Sequence, residues 1–319
     1  MANSTQIISL IKSHLEGDDS RFRSLALQIA ASEAKAGHAV CARSINELLS
    51  QKRLVVMRSR LQLLNKDVAT YLIETECPYR ISDLIVREDL KEKVKRVIFE
   101  YIQRERLHEY NLENRHRILM VGPSGTGKTM TASVIANELS LPLYVVRMEK
   151  VLTKFMGETS MKLGQIFDFI QEERAVYLFD EFDAIGQKRG RELEVGEMRR
   201  VLNSFLQMME REYPDSLILT ATNDPKSLDD ALFRRFDDIL EYPLPSDQEK
   251  LEIIRSRLAS YHIEGDLSTL LPNLKGRSHA EVCMICNDAA KESILKQRSL
   301  NVALFKEVCA ERVFSYSAI

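Results

Sequence analysis

Ile118-Leu-Met-Val-Gly122-Pro-Ser-Gly-Thr-Gly-Lys128-Thr129 is the stretch from which the rest of the chain is read. Four apolar residues ending in glycine suit a buried parallel strand, and Thr129–Leu139 behind them reads as a helix. Between the two stands Gly-x4-Gly-Lys-Thr, the full phosphate-loop spacing. Gly122, Gly125 and Gly127 let backbone N–H groups turn inward and approach phosphate oxygens with no Cβ in the way. The following helix offers its N-terminal N–H groups to the same anion. Lys128 brings a point charge to the β/γ-phosphates, and the Thr129 hydroxyl suits Mg²⁺. The nucleotide-binding set is therefore Gly122, Pro123, Ser124, Gly125, Thr126, Gly127, Lys128, Thr129 and Met130, joined by Asp180.

Asp180 closes the apolar run Val176-Tyr-Leu-Phe-Asp180-Glu181. A lone Asp-Glu after a strand is ordinarily a solvated strand end. Following a phosphate loop, the pair has a chemical reading: Asp180 joins Thr129 as a Mg²⁺ ligand, and Glu181 accepts a proton from the attacking water. Strands over Leu143–Val146, Ala175–Phe179 and Leu217–Thr220 alternate with helices over Leu163–Ile170 and Arg199–Glu210. That alternation predicts an α/β fold, a P-loop NTPase with a doubly wound parallel sheet. Ligands of such sheets sit at the carboxyl ends of the strands. Gly122–Thr129, Asp180-Glu181 and Asn223 all follow predicted strands, so one cleft collects them.

Four regions are expected. Residues 1–53 carry three short amphipathic stripes (Ile7 to Leu15, Phe22 to Ala30, Val40 to Leu49) and read as a small helical docking or assembly domain. Residues 54–78 read as a helical connector ending at Cys77-Pro78, 79–245 as the large α/β ATPase domain, and 246–319 as a helical lid. The formal net charge of −2 provides no global field selecting nucleic acid or an acidic membrane. No apolar run nears the roughly 20 residues that span a bilayer. The N-terminus lacks a basic n-region, and Ile7–Ile11 soon meets Glu16, Asp18 and Asp19, so no signal peptide is expected. Five cysteines, an odd count, argue for reduced thiols and a cytoplasmic location.

With these motifs in place, residues 79–319 resemble the AAA family of ATPases. The resemblance implies ATP and Mg²⁺ as cofactors. Ala221-Thr222-Asn223 resembles the family's sensor segment, in which Asn223 helps position the lytic water. Asp230-Ala231-Leu232-Phe233-Arg234-Arg235-Phe236-Asp237 resembles its arginine-finger segment, where an arginine reaches the γ-phosphate of a neighbouring subunit. The Pro-Gly that many members place between the two arginines is missing, as in katanin, spastin and the ESCRT-disassembling ATPases, so either Arg234 or Arg235 is open as the finger. Thr153-Lys154-Phe155-Met156-Gly157-Glu158-Thr159 resembles the pore loop of protein-translocating members. Lys154, Phe155, Met156 and Gly157 would then line a channel and grip an extended polypeptide; the other reading places Phe155 in the core of a helix. Gly186–Gly196 reads as a second pore loop or as an ordinary exposed loop. Asp83-Leu84-Ile85-Val86 stands where the family has Asp-Ile-Gly-Gly. In Gly276-Arg277-Ser278-His279-Ala280-Glu281, His279 replaces a family glycine, beside the nucleotide or on the surface.

The function implied is an ATP-driven protein unfoldase or disassembly motor, a self-assembled ring and homohexamer acting on protein substrates. A separate subtilisin-like protease or an adaptor, bound through the N-terminal helices, is the further partner the resemblance suggests. The rivals are a loader-type ATPase that remodels nucleic acid, in which basic residues would replace Phe155-Met156-Gly157, and a nucleotide-gated scaffold. Among weaker signals, Cys283-x-x-Cys286 with His279 has no fourth metal ligand and reads as buried thiols. Asp168 and Asp183 read as exposed carboxylates without a role.

Overall fold

A computed structural model describes residues 68–317 except 154–155, 187–191, 212, 214 and 229, together with 19–35 and positions 9, 12 and 45. The chain divides into Met1–Ala69 and Thr70–Ile319. In the first unit, helix α1 (Asp19–Lys35) follows the predicted second stripe, burying Ala26, Ile29, Ala30 and Glu33. The other two predicted N-terminal helices lie outside the described residues.

The second unit is built on a six-stranded sheet. In chain order its elements are β1 (Leu72–Thr75), α2 (Glu88–Ile102), α3 (Arg104–Glu109), β2 (Arg117–Val121), α4 (Lys128–Glu138), β3 (Leu143–Val146), α5 (Met148–Val151), α6 (Met156–Glu172), β4 (Val176–Phe179), α7 (Asp183–Gly186), α8 (Glu192–Met209), β5 (Leu217–Thr222), α9 (Asp230–Phe233) and β6 (Asp238–Glu241). The strands lie in the order β1-β3-β4-β5-β2-β6, all parallel except β1. Every residue of β4 and β5 is buried, as expected of parallel strands covered on both faces. Phe167 of α6 and Phe205 of α8 close on Phe179, and Phe182 packs on Phe205, with ring centroids 4.7–5.7 Å apart. Burying each such ring stabilises by roughly 1.5–3 kcal/mol, and together they fix the strand that delivers Asp180.

Two edge strands depart from the sequence reading. Leu72–Thr75, expected within a helical connector, is a strand antiparallel to β3 with Leu72 paired to Val146. Four residues with Leu72 buried and Ile73 exposed are too few for periodicity to separate strand from helix. β6 was not expected as a strand either. Acidic residues bound it, and among the described residues it pairs only with β2, Ile118 facing Asp238.

The register of β6 against β2 matters for function. Because the strands run parallel, the turn Arg234–Asp237 sits level with Arg117 at the amino edge of the sheet. The phosphate loop leaves the same β2 at its carboxyl edge.

After β6, a second core joins α10 (Asp247–Arg257), α11 (His279–Leu295) and α12 (Val302–Ser317) through Ile254, Leu270, Val282, Ile285 and Phe305. Capping boxes start two of these helices: Ser246 with Glu249, and Ser278 with Glu281. Cys286 and Cys309 are buried, and burial pushes the Cys286 thiol up to about 12, leaving a protonated, apolar filler. Among the described residues no helix is long and apolar enough to cross a membrane.

Candidate active site

The sheet's carboxyl edge assembles the phosphate loop, Asp180, Glu181 and Asn223, the group the sequence placed together. Gly122 continues β2, its N–H donating to the Thr222 carbonyl at 3.2 Å, while the Tyr242 N–H donates to Val121 at 2.7 Å. It adopts φ +151°, and a Cβ there would lie 2.1 Å from the Tyr242 carbonyl oxygen. Gly125 and Gly127 hold φ of +74° and +104°, a region that favours glycine. The Thr126 hydroxyl donates to the Pro123 carbonyl at 2.8 Å, closing the loop on itself.

Lys128 is buried and donates to the carbonyls of Gly122 (2.7 Å) and Pro123 (2.9 Å) and to Asn223 Oδ1 (2.9 Å). Burial lowers its pKa, opposed by the Asp180 and Asp183 carboxylates. Thr129 Oγ1 donates to Asp180 Oδ2 at 2.9 Å, bringing together the two residues read as Mg²⁺ ligands. A hydroxyl beside a carboxylate is a hard-oxygen donor set of the kind that would fit this cation.

The other carboxylate oxygen of Asp180 accepts from the Glu181 N–H at 2.8 Å. Glu181 has φ +52°, a strained conformation for a non-glycine residue, with its side chain exposed at the cleft. The turn is fastened immediately afterwards by Phe182 N–H donating to the Ala221 carbonyl at 2.9 Å.

Asp183 corrects the reading of an exposed carboxylate without a role. It is buried, and its Oδ1 accepts from Thr222 Oγ1 at 3.3 Å and from the Asn223 N–H at 3.2 Å. It thereby sets the end of β5 and, through Asn223, the position of Lys128. The local sequence signal was only an acid at the start of a helix, ordinarily a solvated place.

The helical core adds the other wall. The Ala280 N–H donates to the Gly125 carbonyl at 2.9 Å, and a Cβ on Gly125 would meet Ser278 Oγ at 2.9 Å and Ala280 Cβ at 3.0 Å. The capped start of α11 is thus seated on the phosphate loop. His279, between those two contacts, turns inward rather than to the surface. Both its ring nitrogens are buried, and burial lowers its pKa against the opposing pull of the Glu249 carboxylate and the Ile85 backbone. In the 83–86 stretch, Leu84 belongs to the sheet core and Ile85 packs on the helical one. The Asp83 carboxylate is used within its own turn, accepting from the Arg80 N–H at 2.8 Å.

Arg234 and Arg235 are not part of this cleft. They lie at the amino edge, separated from the phosphate loop by the five residues of β2, roughly 16 Å at 3.3 Å per residue. Both are exposed. They line a cavity of about 490 Å³ with Arg117, Glu210, Phe236 and Asp237. Burial raises the Asp237 pKa, but hydrogen bonds from the Arg117 guanidinium and from two backbone N–H groups outweigh it and hold the carboxyl below its ordinary range.

Of the pore-loop reading, Lys154 and Phe155 lie outside the described residues, as do 187–191 of the second loop. Met156 and Gly157 open α6, with Gly157 exposed. The segment's base is pinned by the buried Thr159, whose Oγ1 accepts from the Thr153 N–H at 3.2 Å.

Residues 118–244 match the family model described as "ATPase family associated with various cellular activities (AAA)". They form an AAA ATPase domain. The chain is 29% identical over 287 residues to an uncharacterised AAA family ATPase of Sinorhizobium fredii, covering 88% of this chain and 87% of that one. It is 32% identical over 203 residues to the proteasome-activating nucleotidase of Thermococcus kodakarensis, covering 61% of this chain and 51% of the relative. The human ATPase family gene 2 protein homolog A is 35% identical over 211 residues, of which the match takes in 23%. The chain thus spans about half of the nucleotidase and about a quarter of the human protein. The crystal structure of the FIGL-1 AAA domain superposes with a TM-score of 0.63 at 20% identity, covering 81% of this chain and 96% of that one. The AAA domain accordingly carries the P-loop fold in a sheet of mostly parallel strands. It binds nucleotide, and the chain is an ATPase.

Proposed function

We propose that the chain assembles head to tail into a ring, a homohexamer, and couples ATP hydrolysis to unfolding or disassembly of proteins. The observation that carries this is the separation of Arg234 and Arg235 from the phosphate loop by the depth of the sheet. An arginine at the amino edge completes a hydrolytic site only on another copy, and heterologous contacts of that kind close into rings.

In this reading Lys128 and the loop N–H groups of Ser124–Met130 would hold the phosphates, and Thr129 and Asp180 would hold Mg²⁺. The cation neutralises charge developing on the phosphates when bound. Glu181 takes the proton of the attacking water, and Asn223, braced by Asp183, positions that water. Residues 79–245 form the catalytic part and 246–319 the lid, whose contact with Gly125 lets phosphate occupancy reach the helical core. Residues 1–53 dock substrates, an adaptor or a separate protease, in the cytoplasm. Similarity to a proteasome-activating nucleotidase supports a protein substrate, as does the apolar Phe155-Met156 core of the pore segment.

A Phe155→Ala variant tests the output. ATP turnover is expected to stay within about threefold of the parent, while unfolding of a fluorescent reporter protein falls at least tenfold. Undiminished unfolding would rule out threading past Phe155.

A further inference from the structure

The helical core carries a thiol cluster that nucleotide hydrolysis does not use. Cys283 and Cys286 stand one turn apart on α11, and Cys309 joins the same core from α12. Their surroundings differ. Cys286 and Cys309 are buried, and burial pushes both thiols up. Cys283 is half-buried at the edge of the core, beside Arg257, the last residue of α10. The negative charge of its sulfur, and the hydrogen bond that the Arg257 guanidinium donates to it, raise the Arg257 pKa. A cation beside a partly exposed sulfur is the setting in which thiols act as nucleophiles. Cys77, the other half-buried thiol among the described residues, instead donates its proton to the Thr75 carbonyl at 3.5 Å. A hydrogen bond from the neutral group favours the neutral, unreactive form.

We propose that Cys283 and Cys286 form a redox-sensitive dithiol: Cys283 attacks a small-molecule disulfide, and Cys286 closes an internal bond that loosens the lid from the phosphate loop. In the first step the Cys283 thiolate bonds one sulfur of the disulfide and expels the other half as a thiolate. Cys286 then bonds the Cys283 sulfur, and the second half leaves with the Cys286 proton. Two protein thiols are oxidised and one disulfide is reduced to two thiols. The second step reaches the nucleotide site. Side chains three apart on a helix have Cβ atoms about 5–6 Å apart, whereas a disulfide needs about 3.5–4.5 Å. Closure therefore draws Cys286 out of its apolar surroundings and distorts the opening turns of α11. Those turns begin where the Ala280 N–H donates to the Gly125 carbonyl at 2.9 Å. A loop filled with phosphate holds Gly125, and with it the start of α11, in place. Oxidation and nucleotide binding thus oppose each other, each weakening the other by the same factor. The coupling acts within one chain and is independent of ring assembly.

The test exposes the full, reduced chain to glutathione disulfide, blocks the remaining thiols with N-ethylmaleimide and locates the products by peptide mass spectrometry. A Cys283–Cys286 bond is expected to form at least about tenfold faster than an adduct at Cys77, and dithiothreitol should reverse it. Cys286→Ser is expected to stop at the mixed disulfide on Cys283, and Arg257→Gln to slow the first step about fivefold. A saturating non-hydrolysable ATP analogue should slow closure about tenfold and leave the rate at Cys77 unchanged. The oxidised chain should bind that analogue about tenfold more weakly than the reduced one. Adducts at Cys77 as fast as at Cys283 overturn the site. A mixed disulfide that persists on Cys283 in the parent chain, or a bond from Cys286 to Cys309, overturns the pairing. Equal nucleotide affinity of the oxidised and reduced chains overturns the coupling to the phosphate loop.

Discussion

Replacing Glu181 by Gln is expected to leave ATP binding intact and to lower turnover by about 100- to 10,000-fold, the range a general base contributes. The substitution removes the proton acceptor and little else. Asp180 keeps both partners, Thr129 Oγ1 at 2.9 Å and the backbone N–H of residue 181 at 2.8 Å. Lys128 keeps its three acceptors. The side chain at 181 is exposed at the cleft, so a neutral amide leaves no buried charge unpaired. The left-handed backbone at φ +52° is as accessible to Gln as to Glu. Equilibrium binding of a fluorescent ATP analogue together with single-turnover cleavage separates the two properties. Cleavage within tenfold of the parent would remove Glu181 from the chemistry.

The second large effect is structural. Gly122→Ala places a methyl 2.1 Å from the Tyr242 carbonyl oxygen and 2.9 Å from its carbon. Neither side can yield cheaply. Val121 accepts from the Tyr242 N–H at 2.7 Å, Gly122 donates to Thr222 at 3.2 Å, and β2 is fixed between β5 and β6. The expected outcome is parting of β6 from β2, at least about 3 kcal/mol of lost stability, and loss of nucleotide binding. Gly127→Ala is the internal comparison. Its φ is +104°, yet nothing lies within 4 Å of the added methyl, so it suffers backbone strain of roughly 1–2 kcal/mol alone. Denaturant titration of both variants should therefore rank Gly122→Ala clearly below Gly127→Ala. Equal stabilities would contradict the close approach to Tyr242.

What could be read in the sequence follows from the range of each interaction. The phosphate loop is a local device: its glycines, Lys128 and Thr129 occur at fixed spacing, and the strand before and helix after are contiguous with it. Asp180-Glu181 and Asn223 were legible because each directly follows a short, mainly apolar strand. Features set by pairing across long separations were not. β1 takes its conformation from β3, more than 65 residues on, and β6 from β2, so four-residue segments of mixed polarity gave no signal of their own. Asp183 looked like an exposed helix-start acid because only the folded sheet brings Thr222 and Asn223 to it. The Arg117–Asp237 anchor joins residues 120 positions apart.

The claim at the centre is that a working site is shared between two copies of the chain. It is tested by mixing two inactive forms, Glu181→Gln and a double variant Arg234→Ala with Arg235→Ala, and measuring ATP turnover of the mixture against each alone. A mixed ring contains sites in which an intact Glu181 belongs to one subunit and an intact arginine pair to its neighbour. Turnover is therefore expected to appear on mixing and to pass through a maximum near equal proportions. If the mixture is no more active than its components while co-assembly is verified, the arginine does not act across the interface.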